Sequence, residues 1–64
     1  MTIQTILVVE PSPMERAQLS GMLTAAGYQV TVAGDGEEGV DIARRERPDL
    51  ILMEVVMPGL NGYQ

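Results

Sequence analysis

The chain has 64 residues, nine acidic against four arginines and no lysine, giving a net charge of -5 and a pI near 4.3; a domain this small buries only about 60% of the surface its unfolded form exposes. It contains no cysteine and no histidine, which excludes disulfides, thiolate zinc sites, Cys or Ser/His nucleophile chemistry and haem held by histidine. The acidic balance is the wrong sign for binding a phosphate backbone, so nucleic acid is not an expected partner.

The first segment, Ile3 to Val9, is β-branched and ends in the continuous apolar stretch Ile6-Leu7-Val8-Val9, which predicts a strand covered on both faces. Ser12-Pro13-Met14-Glu15 follows. Ser12 is placed to cap a helix, Pro13 loses nothing at its first position, and Glu15 stands where a capping box needs an acid. The helix is predicted from Pro13 to Ala26, with Leu19, Met22, Leu23 and Ala26 as its apolar face and Gly27 as its left-handed stop. Tyr28 to Ala33 alternates, with Val30 and Val32 on one side, and predicts a short edge strand.

Gly34-Asp35-Gly36 is a turn, and Asp35 is placed to cap a second helix with Glu38 three residues on. Acids open this helix and Arg44, Arg45 and Arg47 close it, an order that suits the helix dipole. Its apolar side is thin (Val40, Ile42, Ala43), and Gly39 costs about 1 kcal/mol relative to alanine unless something packs closely there. The arginines either complement the dipole or dock an acidic partner. Pro48 stops the helix, and Leu50 to Met57 predicts a third strand, apolar on both faces except for Glu54. The tail from Pro58 to Gln64 carries turn residues and reads as a loop. The longest apolar runs are four residues, against roughly 20 for a bilayer span. No basic region precedes one, so the expectation is a cytoplasmic protein with no membrane partner. Strands alternating with helices predict an α/β fold, βαβαβ, with a parallel sheet and right-handed crossovers.

Three stretches carry a family resemblance: Ile6 to Arg16, Ala33 to Gly39, and Pro48 to Gln64. Together they resemble the receiver domain of two-component response regulators, and most of all the single-domain receivers of chemotaxis-like and twitching-motility systems. The resemblance implies a flavodoxin-like sheet, whose full strand order is 2-1-3-4-5. The expected architecture is therefore a truncated receiver-like half, one domain over residues 1–64, with three parallel strands ordered 2-1-3 and helices on both faces.

In that family an acidic pair follows the first strand, a phospho-accepting aspartate ends the third, and a carbonyl two residues later joins them around magnesium. The matching positions here are Glu10 and Pro11, Glu54, and Val56. Pro11 has no carboxylate. Glu54 keeps the charge but adds a methylene, and a misplacement of about 1 Å can cost on the order of 100-fold in rate. The resemblance thus implies a degenerate acceptor site, no catalytic residue and no functional cofactor, Glu10 and Glu54 offering at most a weak magnesium site. Glu54 reads either as a permanent mimic of a charged aspartate or as a polar residue at a strand end.

A strand from Leu50 through Ile51, Leu52, Met53, Val55, Val56 and Met57 presents an apolar edge of the kind natural sheets cover. Antiparallel pairing with a second copy would give the order 2-1-3-3′-1′-2′ and a homodimer. The expected function is a non-catalytic pseudo-receiver, an adaptor that binds a sensor kinase or another signalling protein. The alternatives are a phosphate- and magnesium-dependent switch, or a fragment with no independent function.

Overall fold

The computed structural model describes residues 2–53. Five elements follow one another: β1 (Thr5–Val9), α1 (Pro13–Ala25), β2 (Gln29–Ala33), α2 (Gly36–Glu46) and β3 (Leu50–Met53). Both strand pairs are parallel and the sheet order is β2-β1-β3, the expected arrangement. Glu54 to Met57, predicted to continue the third strand, and the tail from Pro58 lie outside the described residues.

Burial follows from β1 being central. Ile6, Leu7, Val8 and Val9 are all buried, because a middle strand in an α/β sheet is covered on both faces. Alternation turns Leu7 and Val9 to one face, where they pack with Ala33 and with Ile42 and Ala43 of α2. By the same period Ile6 and Val8 turn to the other face, towards α1. The register runs Leu7 to Thr31 on one side and Leu7 to Ile51 on the other.

The helix ends carry the predicted caps, but in both the return bond is displaced. Ser12 Oγ accepts from the Glu15 N–H at 3.3 Å, but the return bond expected from Glu15 is made by Glu10, whose Oε2 accepts from the Ser12 N–H at 2.8 Å. Asp35 Oδ1 accepts from the Glu38 N–H at 2.8 Å, while Glu38 Oε1 reaches one residue past the cap to the Gly34 N–H at 2.7 Å. At the end of α1, Tyr28 N–H donates to the Leu23 carbonyl and Gly27 N–H to Thr24, with Gly27 at φ 102°. This is the paired Schellman closure that glycine permits.

Several expectations need correction. β1 begins at Thr5 rather than Ile3, and Ile3 stays exposed. β2 begins at Gln29 rather than Tyr28, since the Tyr28 N–H is spent closing α1. α1 ends at Ala25, one residue short, with Ala26 as its C-cap. Within its predicted apolar face Leu19 and Leu23 are half-buried, whereas Met22 is 69% exposed and Ala26 is exposed. In α2, Ile42 and Ala43 meet the sheet but Val40 is exposed, and Arg47 lies just past the last turn as a left-handed C-cap.

Candidate functional site

Where consecutive crossovers leave a parallel sheet in opposite directions, a crevice opens outside the carboxyl ends of the strands, and ligands bind there. Here the reversal falls between β1 and β3, since β2 and β3 lie on opposite sides of β1. Glu10, the first residue after β1, stands at that point.

Three polar groups of Glu10 are tied into the fold. Its N–H donates to the Ala33 carbonyl at 3.0 Å, extending the pairing with β2 by one residue. Its carbonyl accepts from Arg16 Nη1 at 3.0 Å. Its carboxylate Oε2 accepts from the Ser12 N–H and so shapes the turn into α1. The side chain is 4% exposed. Burial of a carboxylate is costly unless hydrogen bonds to the charged form offset it, and the Ser12 N–H supplies one.

Arg16 sits in the first turn of α1, where a cation opposes the helix dipole. What holds it there is the end of the sheet. Its guanidinium reaches over to Glu10 and packs above Gly34, where an added Cβ would stand 3.0 Å from Nη1. Gly34 therefore serves a close approach, and Arg16 ties α1 to the ends of β1 and β2. Arg16 was visible within the sequence motif, but its positioning role was not read from it; a cation at a helix N-terminus, which needs another partner, was the available signal.

Two shallow grooves meet at Glu10. One is lined by Val9, Glu10, Leu19, Leu52 and Met53, and the other by Glu10, Glu15, Gln18, Leu19 and Met22. The first is apolar apart from Glu10 and is lined by both α1 and β3; the second follows α1 and adds Gln18 and Glu15 to the polar lining.

Of the residues singled out in the sequence, Glu10 is at the strand-end crevice and Pro11 beside it is exposed. Glu54 and Val56 lie outside the described residues, as do Val55 and Met57 of the proposed dimer edge. Leu50, Ile51 and Met53 of that edge are exposed and Leu52 is half-buried. Magnesium takes near-octahedral oxygen coordination, commonly through one or two carboxylates. Among the described residues no group of three or more acidic side chains is assembled to hold a metal. Pro11 contributes no carboxylate, and Glu10 already holds a peptide N–H.

Residues 6–64 match the response regulator receiver domain. The chain belongs to that family. It is 52% identical to Protein PilH of Pseudomonas aeruginosa over 59 residues, which is 92% of this chain and 49% of PilH. It is 37% identical over 60 residues to the transcriptional regulatory protein AfsQ1 of Streptomyces coelicolor, covering 94% of this chain and 27% of that protein. The transcriptional activator protein PfeR of Pseudomonas aeruginosa is 42% identical over 57 residues, 89% of this chain and 19% of PfeR. The chain thus spans about half the length of PilH and about a quarter or less of the two regulators. Membership makes it a receiver domain of two-component signalling, a regulatory module. Among the described residues no helix is long and apolar enough to cross a membrane.

Proposed function

We propose that this receiver works as a protein-interaction adaptor without aspartyl phosphorylation. The observation that carries the reading is the proline beside Glu10, which lacks the second carboxylate of the family's acidic pair. Phosphoryl transfer depends almost wholly on positioned charge and metal, and neither is assembled by this pair. Glu54 at the acceptor position adds to the argument, since its longer side chain moves the attacking oxygen. On this reading the protein has no catalytic residue and needs no cofactor, and its partner is a sensor kinase or its phosphotransfer domain, which recognises a receiver-like surface.

The same reading assigns the assembled form as a homodimer joined through the β3 edge. Leu50, Ile51 and Met53 are apolar and exposed there, and a long apolar edge is a template for a further strand. Sedimentation velocity across a concentration series should give a dimer, and a monomer persisting at micromolar concentration overturns this part. For the adaptor role, the chain is mixed with a phosphotransfer domain phosphorylated on its histidine. Capture with the phosphohistidine left intact is the expected result. Failure to capture, or loss of the phosphate to this chain, contradicts it, the second outcome favouring a phosphate-dependent switch.

A further inference from the structure

β3 is a strand whose own sequence does little to fix its register. Its four residues, Leu50-Ile51-Leu52-Met53, are all apolar, so sliding them along β1 by one or two positions exchanges one apolar side chain for another. Register is strongly specified only where the pattern distinguishes two faces. Pro48 opposes a two-residue slide in one direction, since it would enter the ladder without an N–H. Nothing in Leu50 to Met53 opposes the other slide, which would bring Leu52 opposite Ile6 in place of Leu50; the one charge in the sequence that resists it is Glu54, which that register would set opposite the buried Val8.

Asp49 supplies what the strand lacks. Its N–H donates to the Thr5 carbonyl and to Thr5 Oγ1, both at 2.9 Å. In return its carboxylate Oδ2 accepts from the Gln4 N–H at 2.8 Å and the Thr5 N–H at 3.1 Å. Gln4 is at the same time tied to the other neighbour, its carbonyl accepting from Gln29 N–H at 2.8 Å. The start of β1 is thus a fixed point held by β2, and Asp49 grips it through donors and acceptors together. A slide by one residue breaks every one of these bonds.

We infer that Asp49 is a positioning residue, a clamp that selects the register of β3 on β1 and thereby fixes where the chain leaves Met53 beside Glu10. Peptide N–H bonds from Gln4, and next from Thr5, hold the carboxyl's pKa below its ordinary value, which fits an anion that is bonded rather than merely solvated. The clamp lies at the opposite end of the strands from Glu10, so it acts on the site only through the ladder. The inference stands apart from the adaptor reading, because it concerns where β3 sits and not what the site does.

The test is nuclear Overhauser spectroscopy on the isotope-labelled chain. The wild-type chain should show one set of cross-strand contacts, Ile6 with Leu50 and Val8 with Leu52. Asp49→Ala should lose that uniqueness and add a second set in which Ile6 meets Leu52, while Asp49→Asn, which keeps an oxygen acceptor, should retain the first set. Gln4→Pro deletes one N–H of the clamp outside the strand and spares the carbonyl that serves β2; it should show a weaker second set, and it decides the matter if Asp49→Ala does not fold. A single native set in Asp49→Ala or in Gln4→Pro, whatever the loss of stability, overturns the inference.

Discussion

Gly39 of α2 lies so close over Val9 of β1 that a Cβ at Gly39 would stand 2.7 Å from Val9 Cγ2. Helix propensity alone asks for alanine there, by about 1 kcal/mol. Contact with the sheet overrules it, because real Cβ atoms do not approach a methyl so closely. Gly39→Ala should therefore destabilise the chain, with overpacking of about 1–3 kcal/mol outweighing the gain in propensity. The double variant Val9→Ala/Gly39→Ala should show favourable coupling in urea denaturation, since it removes the methyl that clashes. A stabilised Gly39→Ala would mean that α2 sits farther from β1.

The end of α2 presents the opposite opportunity. Arg47 adopts φ 50° as a left-handed C-cap, and its N–H donates to the Ala43 carbonyl at 2.9 Å. An L side chain is strained in that conformation, whereas glycine is not. Arg47→Gly should raise stability by about 0.5–1 kcal/mol, and Arg47→Val should lower it. Thermal denaturation of the three proteins gives the order directly.

The two N-caps should differ in worth. Asp35 holds the Glu38 N–H at 2.8 Å, while Ser12 holds the Glu15 N–H at 3.3 Å. Loss of a cap costs about 0.5–2 kcal/mol. Asp35→Ala should fall near the top of that range and Ser12→Ala near the bottom in urea denaturation.

Asp49 gives the chain a distinct response to acid. Peptide N–H bonds from Gln4, and next from Thr5, lower its folded pKa below the ordinary 3.8. The contribution is present in full above that ordinary value and is lost as pH falls through the lower folded value. The stability difference between the wild-type chain and Asp49→Asn should therefore be constant near neutrality and shrink only in that acidic window. A difference that grows on acidification would reverse the assigned sign.

Much of the fold was legible because it rests on local chemistry. Ser12 and Asp35 announced their helices, Gly27 its left-handed stop, and the apolar run ending at Val9 its burial on both faces. The cost of Gly39 pointed to close packing, and Val9 supplies it. What escaped were partnerships across the chain. Asp49 reads in sequence as the residue between a proline and a strand; its bonds to Gln4 and Thr5 span 45 and 44 positions. Met22 and Val40 carry the right hydropathy for a core, yet both are exposed. Position 10 drew notice only through the family resemblance, and its role in holding the Ser12 N–H depends on a turn geometry that composition does not reveal.

The central claim is that this receiver does not take phosphate on its acceptor position. Its most direct test is intact-mass spectrometry of the chain after incubation with acetyl phosphate and magnesium, alongside a receiver that has the full acidic pair and an acceptor aspartate. The comparison receiver should gain a phosphoryl group while this chain keeps its unmodified mass. A phosphorylated fraction of this chain that disappears in Glu54→Gln would contradict it and make Glu54 an acceptor in its own right.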